Sequence, residues 1–134
     1  MNATVAQHMA TQLVTFNPDD DIIDAMRVLL EKRLSGAPVV DKSGRVVGVL
    51  SKKDCLAIVY NTAYHQHWGG KVEQYMSREV EYIDADSSIV DVAEKFLNSS
   101  FRRFPVLRNG ELVGQISRYD VLSAIDEVYL GKSP

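Results

Sequence analysis

Gly48-Val49-Leu50-Ser51-Lys52-Lys53-Asp54 returns further along the chain as Gly114-Gln115-Ile116-Ser117-Arg118-Tyr119-Asp120. Glycine, serine and aspartate keep their spacing in both. Ser35-Gly36-Ala37-Pro38-Val39-Val40-Asp41 precedes the first stretch, and Arg102-Arg103-Phe104-Pro105-Val106-Leu107 precedes the second. Working outward, Val5, Gln7 and Met9 recur 67 residues later as Val72, Gln74 and Met76. Asp19, Ile22 and Asp24 recur at the same offset as Asp86, Ile89 and Asp91. One residue is lost between Asp41-Lys42-Ser43-Gly44 and Arg108-Asn109-Gly110, after which the offset is 66. Shared composition alone would not hold this register with a single gap. The period is too long for a solenoid and implies two copies of one unit. Each copy alone is at the size where a core is marginal, so the two are expected to share burial.

The same elements are expected in each copy. Leu13 to Phe16 and Val80 to Ile83 are short β-prone stretches. Asp19-Asp20-Asp21 and Asp86-Ser87-Ser88 supply N-cap residues. Ile22, Ala25, Met26, Leu29 and Leu30 then follow at helical spacing, as do Ile89, Val92, Ala93, Phe96 and Leu97. Ala37 to Val40 and Phe104 to Leu107 read as strands, with proline expected at the strand start. Turns at Lys42-Ser43-Gly44 and Arg108-Asn109-Gly110 lead to strands Val46–Leu50 and Leu112–Ile116. A second helix begins after Ser51 and Ser117. This gives an α+β, mixed α/β fold of two pseudo-symmetric βαββα repeats packed through their sheets. The expected division is 1–59, a linker over 60–71, and 72–134.

Of the 134 residues, 46% are hydrophobic and 25% charged, the composition of an ordinary globular protein. A formal net charge of −3 speaks against non-specific nucleic-acid binding, which needs a basic surface. It leaves room for one anionic ligand where a few basic residues converge. The single cysteine, Cys55, excludes a disulfide within the chain and reads as a small buried residue. No signal peptide and no membrane-spanning run is read, so the expected setting is cytoplasmic. His8, His65 and His67 lie outside the repeated stretches. His65 and His67 point to different faces of a helix and have no third ligand nearby, so no metal site is expected.

Ser51 and Ser117 sit where a strand ends and a helix begins. Free backbone N–H groups and the positive end of the helix dipole are expected there, a favourable place for phosphate. Asp54 and Asp120 follow in the first turn, where a carboxylate can accept both hydroxyls of a ribose. Serine and aspartate at this spacing also make a capping box with no ligand at all. Spacing alone does not decide between the two.

From Val5 to about Ile125 the pattern resembles the CBS domain, and the tandem resembles a CBS pair, or Bateman module. The carrying residues are the Pro-Val strands, the glycine turns and the two Gly-x-x-Ser-x-x-Asp stretches quoted above. The resemblance implies a stand-alone regulatory module that binds an adenosine nucleotide (AMP, ADP, ATP, or S-adenosylmethionine) in clefts between the two repeats. No cofactor would be required. It implies one site at Asp120, Ser117 and Arg118, with Val14, Ser35 and Gly36 from the other repeat. The second would hold Asp54, Ser51 and Lys52, with Glu81, Arg102 and Arg103 across from them. It also implies a homodimer that signals to a separate, unidentified protein by changing shape. The competing expectation is a ligand-free dimerisation or protein-interaction module.

The copies differ in one respect that bears on a ligand. Arg102-Arg103 stands where the first copy has Ser35-Gly36, and a guanidinium fork suits phosphate. Lys52, Lys53 and Arg118 place positive charge at helix starts, against the dipole preference. An acid–base division of labour is not expected of Asp54 and Asp120, which are equivalent by the repeat, so no enzyme is expected.

Overall fold

The computed structural model describes residues 3–65 and 69–131. The elements are α1 (Val5–His8), α2 (Ile22–Glu31), β1 (Gly36–Val40), β2 (Val46–Ser51), α3 (Lys52–His65), β3 (Ile83–Asp84), α4 (Ile89–Leu97), β4 (Arg103–Arg108), β5 (Glu111–Ser117) and α5 (Arg118–Ala124). A 3-10 turn covers Val72–Gln74, and a π turn extends α5 over Ile125–Tyr129. The fold is mixed α/β with two small sheets, in the orders β1-β2 and β3-β4-β5. His65 ends α3, but its side chain, His67 and Trp68 lie outside the described residues.

Two compact units form. One is Val14–Val80; the other joins the segment up to Leu13 with the chain from Glu81 onward. The compact unit and the sequence repeat are therefore offset, because each repeat's opening segment is built into the other unit. Val5, Ala3 and Met9 pack on Ile89, Val92 and Phe104. Val72 and Met76 pack on Ile22, Leu29 and Leu50.

These opening segments, here called straps, are held alike in the two units. Val5 N–H donates to Ser87 O at 2.9 Å and Ile89 N–H to Ala3 O at 3.0 Å; Val72 N–H donates to Asp20 O and Ile22 N–H to Gly70 O, both at 2.9 Å. Gln7 Oε1 accepts from Thr4 N–H at 3.0 Å, and Gln74 Oε1 from Lys71 N–H at 2.7 Å. At the far end Ala10 pairs with Gln115 on the edge of β5, and Ser77 with Val49 on the edge of β2. This accounts for all three residues of the Val-x-Gln-x-Met pattern. Valine is the buried anchor, glutamine caps the turn, and methionine meets a glycine on the neighbouring strand.

The amphipathic helices start where the caps predict. Asp21 accepts from Ile23 and Asp24 N–H, and Ser88 from Asp91 N–H. Two of the residues at helical spacing point outward, however: Leu30 is 59% and Leu97 86% exposed. Each sits in the last turn, past the buried stripe that Leu29 and Phe96 complete. The expected strand starts are also shortened. Of Leu13–Phe16 only Phe16 makes a bridge, to Val39, and of Val80–Ile83 only Ile83 is in a strand.

Pro38 and Pro105 occupy the third position of their strands, not the first. Bonding directions alternate along a strand, so the nitrogen of Pro38 faces Phe16. That bridge uses only Pro38 O (3.0 Å from Phe16 N) and Val40 N (2.8 Å from Phe16 O). Pro105 faces β3 in the same way, just before the pairing of Ile83 with Val106 begins. No ladder bond is lost at either position.

The hairpins differ where the repeat loses its residue. Asn109 and Gly110, both at positive φ, make a two-residue turn between Arg108 and Glu111. The longer β1–β2 turn is organised by Asp41. Its Oδ1 accepts from Ser43 Oγ at 2.6 Å, Ser43 N–H at 2.9 Å and Arg45 N–H at 3.1 Å. The hydrogen bond from the Ser43 hydroxyl, then that from the Arg45 amide, hold the Asp41 carboxyl below its ordinary 3.8. A depressed carboxyl stabilises the fold above its unfolded pKa and loses that contribution as pH falls through the folded value. By carboxyl-carbon NMR, Asp41 is expected to titrate below 3.8, and Asp41→Asn to speed exchange of the Ser43 and Arg45 amides.

Candidate nucleotide-binding helix starts

β2 runs straight into α3, and β5 into α5. The junction in each case is the serine. Ser51 N–H donates to Asp54 Oδ2 at 2.9 Å, and Asp54 N–H donates to Ser51 Oγ at 3.1 Å. Ser117 N–H donates to Asp120 Oδ2 at 2.9 Å, and Asp120 N–H to Ser117 Oγ at 3.2 Å. Both pairs are half-buried reciprocal capping boxes. Each aspartate spends one oxygen on its own helix; among the described residues Oδ1 of either accepts no bond. The capping reading is realised, and a ribose would have to be met by that second oxygen.

The expected cradle of free amides is smaller than the sequence implied. Lys52 N–H donates to Ser35 O at 2.9 Å, and Arg118 N–H to Arg102 O at 3.2 Å. With Ser51, Asp54, Ser117 and Asp120 N–H also engaged, Lys53 and Tyr119 carry the first-turn donors without such a partner among the described residues. An anion held here would depend on side chains more than on the backbone.

Within the Val14–Val80 unit, Gly36 pairs with Ser51, which places Ser35 and Gly36 beside Lys52 and Asp54. A Cβ on Gly36 would lie 2.8 Å from Leu50 O and 3.2 Å from Ser51 Cα. The backbone approaches too closely there for any side chain. Val14 packs at the edge of the same unit's core. In the other unit Arg103 takes the Gly36 place, opposite Ser117. Its Nε is buried and has no hydrogen-bond partner among the described residues. Arg118 Nε donates to Phe101 O at 3.2 Å, and Arg102 is exposed. The structure thus gathers Arg102, Arg103, Ser117, Arg118 and Asp120 on one unit, and Ser35, Gly36, Ser51, Lys52 and Asp54 on the other. Glu81 is exposed at the start of the unit that carries the arginines. The groupings that the resemblance implied, Val14, Ser35 and Gly36 with Asp120, and Glu81, Arg102 and Arg103 with Asp54, join residues of different units.

Lys95 was not singled out in the sequence. Its ammonium lies 5.2 Å above the Phe104 ring and donates to Tyr82 O at 3.0 Å, adding a cation to the arginine-bearing unit. Its counterpart in the first repeat is Val28, a difference that the repeat alignment exposes. Cys55 is buried just after Asp54. Burial, then the Asp54 charge, pushes its thiol above the ordinary 9.0. An open depression of about 580 Å³ lies elsewhere on the Val14–Val80 unit, lined by Asn17, Asp19, Asp20, Asp41 and Ser43 among others, and includes none of the helix-start residues. Among the described residues, no three His, Cys, Asp or Glu side chains are placed to hold a metal ion. No helix among them is long and apolar enough to cross a membrane.

Two copies of one small α/β unit, each with a serine–aspartate helix start after a glycine-bearing strand, define a tandem-repeat module. The CBS domain model matches residues 5–61 and again 72–127, and the chain belongs to that family. The crystal structure of CBSX2 in complex with AMP is 29% identical, with a TM-score of 0.82 over 95% of this chain and 98% of that one. Another structure of CBSX2, from Arabidopsis thaliana, is 27% identical with a TM-score of 0.82, covering 97% and 99%. The CBS pair of MJ0100, in complex with 5′-methylthioadenosine and S-adenosylmethionine, shares the fold at 22% identity and a TM-score of 0.72, over 99% and 100%. A 17.7 kDa protein of Acidianus ambivalens is 28% identical over 96% of this chain and 77% of its own length. Others are longer: the chain spans 44% of MJ1225 from Methanocaldococcus jannaschii, at 25% identity over 93% of this chain.

Proposed function

We propose that the chain is a regulatory module that binds an adenosine nucleotide at its serine–aspartate helix starts and acts on a partner rather than on a substrate. The observation that carries the reading is the unspent Oδ1 of half-buried Asp120, on the unit that also carries Arg102, Arg103 and Arg118. A ribose would donate its hydroxyls to that oxygen, and the guanidinium groups would take phosphate. The unit with three arginines is the one filled first; the Ser51–Asp54 start, with Gly36 in place of an arginine, binds more weakly. The likeness to CBSX2 with AMP supports the ligand class. Asp54 and Asp120 make the same two bonds, which fits like roles and not an acid and a base.

Isothermal titration with AMP, ADP, ATP and S-adenosylmethionine tests this. Heat with one of them is expected, together with a rise in melting temperature that grows with ligand concentration. Silence with all four, in both measurements at millimolar ligand, overturns the nucleotide reading and leaves the ligand-free interaction module.

A second copy is the proposed immediate partner. Leu56, Val59, Tyr60 and Tyr64 are each more than half exposed on α3, at a spacing that forms one stripe. Sedimentation is expected to show a dimer, and Leu56→Glu with Val59→Glu to shift it to monomer.

A further inference from the structure

Gly48 and Gly114 open the two repeated stretches, yet what they meet is a strap. A Cβ on Gly114 would run into Met9 Sδ, and would lie 2.8 Å from Met9 Cγ and 2.9 Å from Ala10 O. On Gly48 it would lie 2.7 Å from both Met76 Sδ and Ser77 O. Each glycine is therefore a notch that seats a strap on the strand feeding that unit's serine–aspartate helix start. The strap on β5 ends its pairing at Ala10, and the chain next bonds at Phe16, inside the Val14–Val80 unit. The strap on β2 ends at Ser77, and the next strand begins at Ile83, inside the other unit. Residues 11–15 and 78–82 are thus two tethers of equal length. Six backbone steps reach at most about 20 Å, so each strap end and the strand that follows it stay covalently held within that reach of one another.

We propose that these tethers couple the two helix starts: unseating the strap from one unit's motif strand loosens the first strand of the other unit. The two states are strap seated and strap lifted, and both units bias them. The coupling concerns the same helix starts as the proposed nucleotide site and deepens that reading. Its test uses no ligand, so either can fail alone.

Hydrogen exchange on the full chain reads it. Gly114→Ala is expected to speed the Ala10 and Gln115 amides at least about tenfold. It should also speed Phe16 and Val40, whose amides bond within the other unit. Gly48→Ala should speed Ser77 and Val49 and, across its tether, Ala85. A four-residue Gly-Ser insertion between Thr11 and Gln12 in Gly114→Ala should return Phe16 and Val40 to wild-type rates while Ala10 stays fast. Met9→Ala empties the notch without crowding it and should give the first pattern at smaller amplitude, should the glycine variant not fold. Phe96→Leu loosens the same unit's core without altering a strap residue or its glycine notch, and should leave Phe16 and Val40 unchanged. Wild-type rates at Phe16 and Val40 in both strap variants overturn the coupling. So does equal acceleration in Phe96→Leu, or an insertion that changes nothing.

Discussion

Phe104→Ala is expected to cost about 3–5 kcal/mol, the range for truncating a buried aromatic. Phe104 is 1% exposed and its ring lies 4.7 Å from Phe96 and 5.7 Å from Phe101 by centroids. It pairs with Ile116, one residue before Ser117. Most of its surroundings belong to the sheet face and to α4, which relax only partly into a gap. A domain of this kind holds about 5–15 kcal/mol in all, so the loss is a large fraction of the total. It should also be local. The core of the Val14–Val80 unit is built from other residues, so Leu50 and Val39 amides should keep more of their protection than Ile116 and Val106. Urea unfolding gives the total, and hydrogen exchange gives its location. A cost under about 1 kcal/mol would mean that the site collapses far better than its packing allows. Phe104→Leu, which keeps most of the volume, is expected to cost about 1.5 kcal/mol or less.

The repeat made most of the fold legible. Register with a single gap located both hairpins, both caps and both serine–aspartate helix starts, because each follows from local chemistry. Asp21 and Ser88 cap where a short polar side chain precedes an apolar helical stripe. Asn109-Gly110 turns where two positive φ angles are needed. The straps were not legible as such. Val5, Gln7 and Met9 were visible as a repeated pattern, but a pattern does not say which copy it packs on. That exchange is a long-range contact, and folding sets Met9 against Gly114 and not Gly48. Gly-x-x-Ser-x-x-Asp is legible as a strand-to-helix junction that suits either a ligand or a capping box, and the structure divides its residues: glycine seats a strap, serine caps, and aspartate caps with one oxygen and leaves the other unspent. The spent amides at Lys52 and Arg118 are equally hidden, since their acceptors, Ser35 O and Arg102 O, come from the residue just before the neighbouring strand. Pro38 and Pro105 misled for a related reason. A strand interior tolerates proline on a side where the neighbour needs no donor, and that depends on what lies alongside.

Asp120→Ala is expected to weaken nucleotide binding about 100-fold, from the loss of two hydrogen bonds to a charged acceptor. It should also cost about 1 kcal/mol of stability, because Ser117 N–H loses its partner in the capping box. The two effects need separating, and Asp120→Asn does so. Its amide oxygen can still accept from Ser117 N–H, so the cap and the stability should largely remain. The charge is gone, so binding should still fall about tenfold. Asp54→Ala removes an equivalent cap, with Ser51 N–H at 2.9 Å, and should destabilise by a similar amount. Its effect on affinity should be much smaller, since Gly36 stands there in place of an arginine. Calorimetric affinities and denaturation midpoints for the three variants settle the assignment. Equal loss of binding in Asp54→Ala and Asp120→Ala would make the arginines irrelevant to which helix start is filled. Wild-type affinity in Asp120→Ala, with the expected loss of stability, would make Asp120 a cap alone and return Gly-x-x-Ser-x-x-Asp to a purely structural role.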